Sequence, residues 1–192
     1  MVHISDGVLA PEVWVTGYII TAIILFFTLR KMKADDIPRI SIVTSAFFVA
    51  SLIHVPIGPT SVHLILNGLM GILLGIYSYP AIFIGLLLQA LLFQHGGITT
   101  LGINTIDMGI PALIAYYLFR IRKNPIMAGI SCGIAVFLAV LLTSVVLILS
   151  GAEYYEVAIL LFTAHIPVAL IEAIVSAFVV ATLLKVKREV IA

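Results

Sequence analysis

The chain has 192 residues, of which 62% are hydrophobic and 10% charged, and its mean hydropathy of +1.26 lies outside the range of soluble globular domains. A net charge of +1 gives no reason to expect a nucleic-acid partner, and one cysteine, Cys132, excludes an intramolecular disulfide. The composition reads as an all-α polytopic protein of the lipid bilayer, a single integral membrane domain over 1–192.

The tail over 1–12 opens MVHISDG and places a histidine beside the amino terminus. Asp6-Gly7 and then Pro11 give this tail a compact turn. A terminal amine, one or two deprotonated backbone amides and the His3 imidazole form fused chelate rings. Such a planar nitrogen set suits Ni²⁺, Cu²⁺ and Co²⁺ better than tetrahedral Zn²⁺. No basic segment precedes the first apolar run, and Asp6 and Glu12 occupy its approach, so residues 1–29 do not read as a cleaved signal peptide.

Apolar runs near 13–29, 40–57, 63–78, 80–94, 105–119, 125–149 and 157–184 predict about seven transmembrane helices. The third to fifth runs are short for a full span, which suggests half-buried ends or re-entrant backbone covered by protein. The Lys and Arg residues fall in three clusters, Arg30 to Arg39, Arg120 to Lys123 and Lys185 to Arg188. The positive-inside rule makes these cytoplasmic, which sets the amino terminus outside and the carboxyl terminus inside the cell membrane. On that threading His3, His54, His63 and His95 lie at the outer ends of the helices, with His165 about two turns into the last.

There is no nucleotide-cradling G-x-x-x-x-G-K-[ST], no H-E-x-x-H and no C-x-x-C-H. Three outer polar stretches remain: IHVPIGPTSVHL at 53–64, QALLFQHGGITTLGIN at 89–104 and AHIPVALIE at 164–172. Polar residues at membrane depth are expensive and usually line something. Here Pro56, Gly58 and Pro59 break helix two before His63 begins helix three, and Gly96-Gly97 break helix four before Asn104, so backbone and side chains converge on a common pocket. GILLG at 71–75 and GISCG at 129–133 read as helix-packing faces.

These stretches, taken in order with His3-Ile4-Ser5-Asp6-Gly7, resemble the CbiM/NikM family. Its members are the membrane-embedded substrate-binding components of energy-coupling-factor transporters for cobalt and nickel. The resemblance rests on that tail, on Pro56 to Leu64, on Gln89 to Asn104 and on His165 to Glu172. It implies one divalent ion held near the outer face by the terminal amine, a backbone amide and the imidazole of His3, with His63 completing a planar four-coordinate set. Asp6, Gln89, His95 and Asn104 are the candidates for orienting these ligands or tying the tail down. The family pattern begins Met-His, whereas Val2 intervenes here. Loss of Met1 makes Val2 the terminal amine and restores the family geometry; with Met1 retained, two amides fill the plane and His63 becomes axial or idle.

The resemblance further implies Ni²⁺ or Co²⁺ as transported substrate, no organic cofactor and no enzymatic activity of the chain's own. Its partners would be a transmembrane coupling protein, ATP-binding subunits and a small accessory membrane subunit. A rival from another class is a membrane redox protein with haem between His54 and His165; a third is a purely structural assembly subunit.

Overall fold

The computed structural model describes residues 3–57, 60–187, 189 and 191, with the backbone alone at 54–57 and 60–62. The expectations for Met1, Val2, Gly58, Pro59, Arg188 and the His54 side chain therefore fall outside what is described. The α-helices are α1 (Pro11–Leu29), α2 (Ile37–Ser51), α3 (Asn67–Leu74), α4 (Ser78–Phe93), α5 (Leu101–Ile121), α6 (Pro125–Ser150) and α7 (Tyr155–Val186). Proline in the first turn of α1, α2 and α6 suits a position whose N–H has no helical acceptor. Asn124 caps α6 by accepting from the Met127 N–H at 2.8 Å.

Among the described residues, five stretches are long and apolar enough to cross a membrane: Pro11–Leu29, Asn67–Phe93, Leu101–Ile121, Pro125–Ser150 and Ala152–Val186. The burial pattern is that of a protein solvated by hydrocarbon. On α1 the buried residues are Gly17, Thr21 and Thr28, while Ile23, Phe26 and Phe27 are more than half exposed. On α7 a stripe of His165, Val168, Glu172, Ser176 and Val180 is buried and Leu170, Ile174 and Phe178 face outward. Water would reverse that order; lipid tails do not.

Two expectations are corrected. Helix two does not run to residue 57, because it ends at Ser51 and the chain then forms an antiparallel hairpin, β1 (His54–Ile57) with β2 (Thr60–His63), in the register His54↔His63. The fold is all-helical apart from this hairpin, and His63 closes a strand instead of opening a helix. Prolines at 56 and 59 deny the segment helical N–H donors, and pairing satisfies the backbone instead. The third apolar run, in turn, is not a span by itself: α3 has 8 residues, and a turn at Gly75 with φ 58 sends the chain back as α4. The described residues hold seven α-helices, within which five stretches are span-length by composition.

The described residues of the three basic clusters gather at one end of the bundle. Arg39 donates to the Leu73 carbonyl and the Tyr77 hydroxyl to the Lys31 carbonyl. Next to Leu73, Ile72 packs with Phe119, Met127 and Leu184, neighbours of the second and third clusters. His3, His63 and His95 lie at the opposite, hairpin end. Small residues set the helix spacing. A Cβ on Gly102 of α5 would lie 2.5 Å from the Tyr18 backbone nitrogen of α1, and one on Gly129 of α6 would lie 2.7 Å from the Ala173 carbonyl oxygen of α7. The α1–α5 contact matters most here, because it lays the tail that precedes α1 across the start of α5.

Candidate metal centre

Two buried histidines meet at the hairpin end. The rings of His3 and His63 stack with centroids 5.4 Å apart and planes 21° from parallel, and the residues are only 8% and 4% exposed. An ion 2.0–2.1 Å from one nitrogen of each ring would sit roughly 3.2 Å from each centroid, so rings up to about 6.4 Å apart can share it. The pair falls within that reach. His63 Nδ1 lies 2.9 Å from the Leu64 carbonyl oxygen, an acceptor only, so Nδ1 carries the proton and Nε2 the lone pair. A metal-binding imidazole usually has such an arrangement, one nitrogen donating to a carbonyl and the other facing the ion.

The tail that carries His3 is gripped by the start of α5. Asn104 Oδ1 accepts from the Ile4 N–H at 2.9 Å and its Nδ2 donates to the Ile4 carbonyl at 3.0 Å, so one amide pairs with both groups of one residue. Thr100 adds its hydroxyl to the same carbonyl at 2.6 Å. Two residues on, Asp6 Oδ1 accepts from the Thr99 N–H at 2.8 Å and the Thr99 hydroxyl at 2.5 Å, and Oδ2 accepts from the Ile98 N–H at 3.2 Å. The Thr99 hydroxyl, with the backbone N–H groups, holds the Asp6 carboxyl below its ordinary value, against a smaller opposing effect of burial. The Ile4 side chain is buried in the core. Gly96 and Gly97 make room for the tail: Gly96 has φ +76, and a Cβ on Gly97 would lie 2.5 Å from the Asp6 backbone nitrogen.

His63 is fixed from the other side. Glu172 of α7, fully buried, accepts from the N–H groups of Ile65 and Leu66, the latter at 2.8 Å. These two N–H groups lie between the hairpin and α3, where Leu66 takes a left-handed φ of 55. Asn67 then donates to the Met108 and Ala135 carbonyls at 3.2 and 3.4 Å, anchoring the start of α3 on α5 and α6.

Of the residues expected to support the site, Asp6 and Asn104 contact the tail directly. Gln89 does something else, donating to the Ser51 hydroxyl at 2.5 Å and so joining α4 to the end of α2. The His95 ring lies 6.2 Å from that of Phe93, on the rim. Glu172, Thr99 and Thr100 were not singled out, although all lie within stretches whose polar content at membrane depth marked them. Beside His3 a cavity of about 270 Å³ opens between the tail, α6 and α7, reaching His165. Among the described residues no group of three or more His, Cys, Asp or Glu could hold an ion, so two imidazoles need other donors to complete a ligand set.

A family profile described as the cobalt uptake substrate-specific transmembrane region matches residues 3–190. A protein of Haemophilus influenzae, provisionally named a metal transport protein, is 42% identical over 98% of this chain and 96% of its own length. One of Archaeoglobus fulgidus, provisionally named a fused nickel transport protein NikMN, is 31% identical over 98% of this chain and 68% of its own. A crystal structure of a truncated transition metal transporter superposes with a TM-score of 0.84 at 26% identity, covering 95% of this chain and 98% of that one. The matching region takes in the tail, the hairpin and every helix, and the chain therefore belongs to the CbiM family of multi-pass cobalt uptake components.

Proposed function

We propose that this chain is the substrate-capture component of an ATP-driven cobalt/nickel uptake transporter of the cell membrane. On this reading it takes one Ni²⁺ or Co²⁺ at the outer face through planar nitrogen ligands. The observation that carries the reading is the buried His3–His63 pair, with the tail tied by Asn104 and Asp6 and the strand end tied by Glu172. Neutral imidazoles supply two nitrogens, and the terminal amine and the His3 amide supply the rest. Val2 is the proposed terminal residue, since its amine and the His3 amide and imidazole leave one corner of the plane for His63. Gln89 and His95 act further out, bracing α4 and the rim. Irving–Williams order favours Cu²⁺ at such a site, so selection rests on geometry and metal availability.

Energy would come from separate ATP-binding subunits through a transmembrane coupling protein, with a small accessory membrane subunit. The basic end faces the cytoplasm in this account, in line with the charge rule. The haem alternative is not favoured by a family match that runs the length of the chain.

Titration of the purified protein with Ni²⁺ and Co²⁺ tests the reading. His3→Ala and His63→Ala should each remove most of the affinity and His54→Ala should change it little. Binding that survives both of the first two changes contradicts the ligand assignment. Intact-mass analysis of the metal-loaded form should show loss of Met1, and an uncleavable extension before Val2 should abolish binding while leaving the fold intact.

A further inference from the structure

Ile98 and Thr99 share one planar peptide unit in the loop between α4 and α5, and two different elements hold it. Its N–H, that of Thr99, donates to Asp6 Oδ1 of the tail at 2.8 Å. Its carbonyl, that of Ile98, accepts from the Tyr18 hydroxyl of α1. In a trans peptide the N–H and the C=O point in opposite directions, so Asp6 and Tyr18 grip the same unit from its two sides. A carbonyl oxygen has two lone pairs, and the other one at Ile98 takes the N–H of Leu101, the first residue of α5, at 3.2 Å.

Tyr18 is placed for that reach. Side chains on a helix lean toward its N-terminus, and α1 begins where the tail ends, so the half-buried Tyr18 ring points back toward the tail. Trp14, one turn nearer the tail, meets the ring edge-on at 6.4 Å. One turn further in, the Thr21 hydroxyl donates to the Gly102 carbonyl of α5 at 2.8 Å and so accepts from the Tyr79 hydroxyl of α4 at 3.0 Å. The helix that carries Tyr18 is therefore fixed against α5 independently of the Tyr18 hydroxyl. A hydrogen bond accepted by a peptide carbonyl also polarises the N–H of the same unit, which strengthens what that N–H donates to Asp6. The preference of tyrosine for membrane interfaces does not account for a hydroxyl spent on a loop carbonyl.

We propose that Tyr18 is a positioning residue of the capture site: it fixes the Ile98–Thr99 peptide against α1, and through the N–H of that peptide it fixes Asp6 and the tail that presents His3. The proposal rests on the capture reading above and gives Tyr18 no contact with the ion. The tail is then tethered twice to one piece, since α1 both continues it and holds the loop on which it docks.

A double-mutant cycle on the full chain in lipid nanodiscs tests it, read by Ni²⁺ affinity and by hydrogen exchange of the metal-free tail. Tyr18→Phe keeps the ring and removes one hydrogen bond, so it should weaken Ni²⁺ binding roughly 2–12-fold and leave the absorption bands of bound Ni²⁺ unchanged. In an Asp6→Asn background the same change should add less than about 2-fold, because residues that act through one peptide are not additive. Thr21→Val alters the same pair of helices away from Ile98 and should change the affinity by one factor in both backgrounds. Exchange of the amides from Ile4 to Gly7 should follow the same pattern. An unchanged affinity in Tyr18→Phe, an equal loss in both backgrounds, or the same non-additivity for Thr21→Val overturns the proposal. So does a shifted Ni²⁺ spectrum in Tyr18→Phe, which would place Tyr18 beside the ion. If the wild type binds no Ni²⁺, the capture reading fails by itself, and the exchange cycle still decides whether Tyr18 holds the tail through Asp6.

Discussion

Asn104 commits both ends of its amide to one backbone unit of the tail, and that makes it the strongest single hold on His3. Each such bond contributes about 0.5–1.5 kcal/mol net, so Asn104→Ala should weaken Ni²⁺ binding roughly 10–100-fold without removing a ligand. Isothermal titration reads that loss; an unchanged affinity would mean that the tail docks by other means. Asp6 makes a separate prediction with a definite sign. Its carboxyl is held below the ordinary value near 3.8, first by the Thr99 hydroxyl, so its contribution to docking is fully present above that value and is lost as pH falls through the lower folded one. Hydrogen exchange of the metal-free tail should therefore stay slow through mildly acid pH and quicken only below about 3.8. Asp6→Asn should be fast throughout. Acid weakens metal binding for a different reason, because a protonated imidazole has no lone pair to offer an ion.

At the scale of elements, the site is a meeting of three ends: the tail, β2 and the first turn of α5. His63 depends on α7 through Glu172, which holds the linker between β2 and α3 without being a ligand of the proposed ion. Glu172→Gln replaces one acceptor oxygen by a donor facing an N–H group. A buried unsatisfied group of that kind costs about 1–3 kcal/mol, so the variant should melt lower and bind Ni²⁺ more weakly, with the linker showing faster hydrogen exchange. Gly97→Ala should spare the helices and displace the tail, since its Cβ would meet Asp6. The hairpin was the element least legible in the sequence. Two strands of four residues around two prolines carry too little alternation to stand out from a helix break, and its pairing is supplied by the chain folding back on itself. The hairpin puts His63 at the end of a strand instead of the start of a helix, while its identity as a site candidate comes from the motif and does not depend on the element. Glu172 went unassigned because its partners are backbone N–H groups more than a hundred positions away.

Across the whole molecule, the membrane class, the longer spans and the gathering of basic residues at one end were legible, because composition and charge placement are whole-chain properties that survive errors in helix boundaries. The sequence marks the third run as short for a span, but an apolar run does not reveal the Gly75 turn at the end of α3. Orientation in the bilayer is testable on the same scale. With the sole native cysteine buried, a cysteine introduced at Gly151 should label from outside whole cells, and a reporter fused after Lys33 should read cytoplasmic. Reversed results at both would put the histidine pair on the inner face, where it could not capture metal from the medium. The central claim, that His3 and His63 share one ion, is tested most directly by X-ray absorption of the Ni²⁺-loaded protein and of His63→Ala. The account expects a planar, all-nitrogen first shell with scattering from two imidazoles in the wild type and from one in the variant. An oxygen-rich octahedral shell in the wild type, or identical imidazole scattering in both proteins, would contradict it.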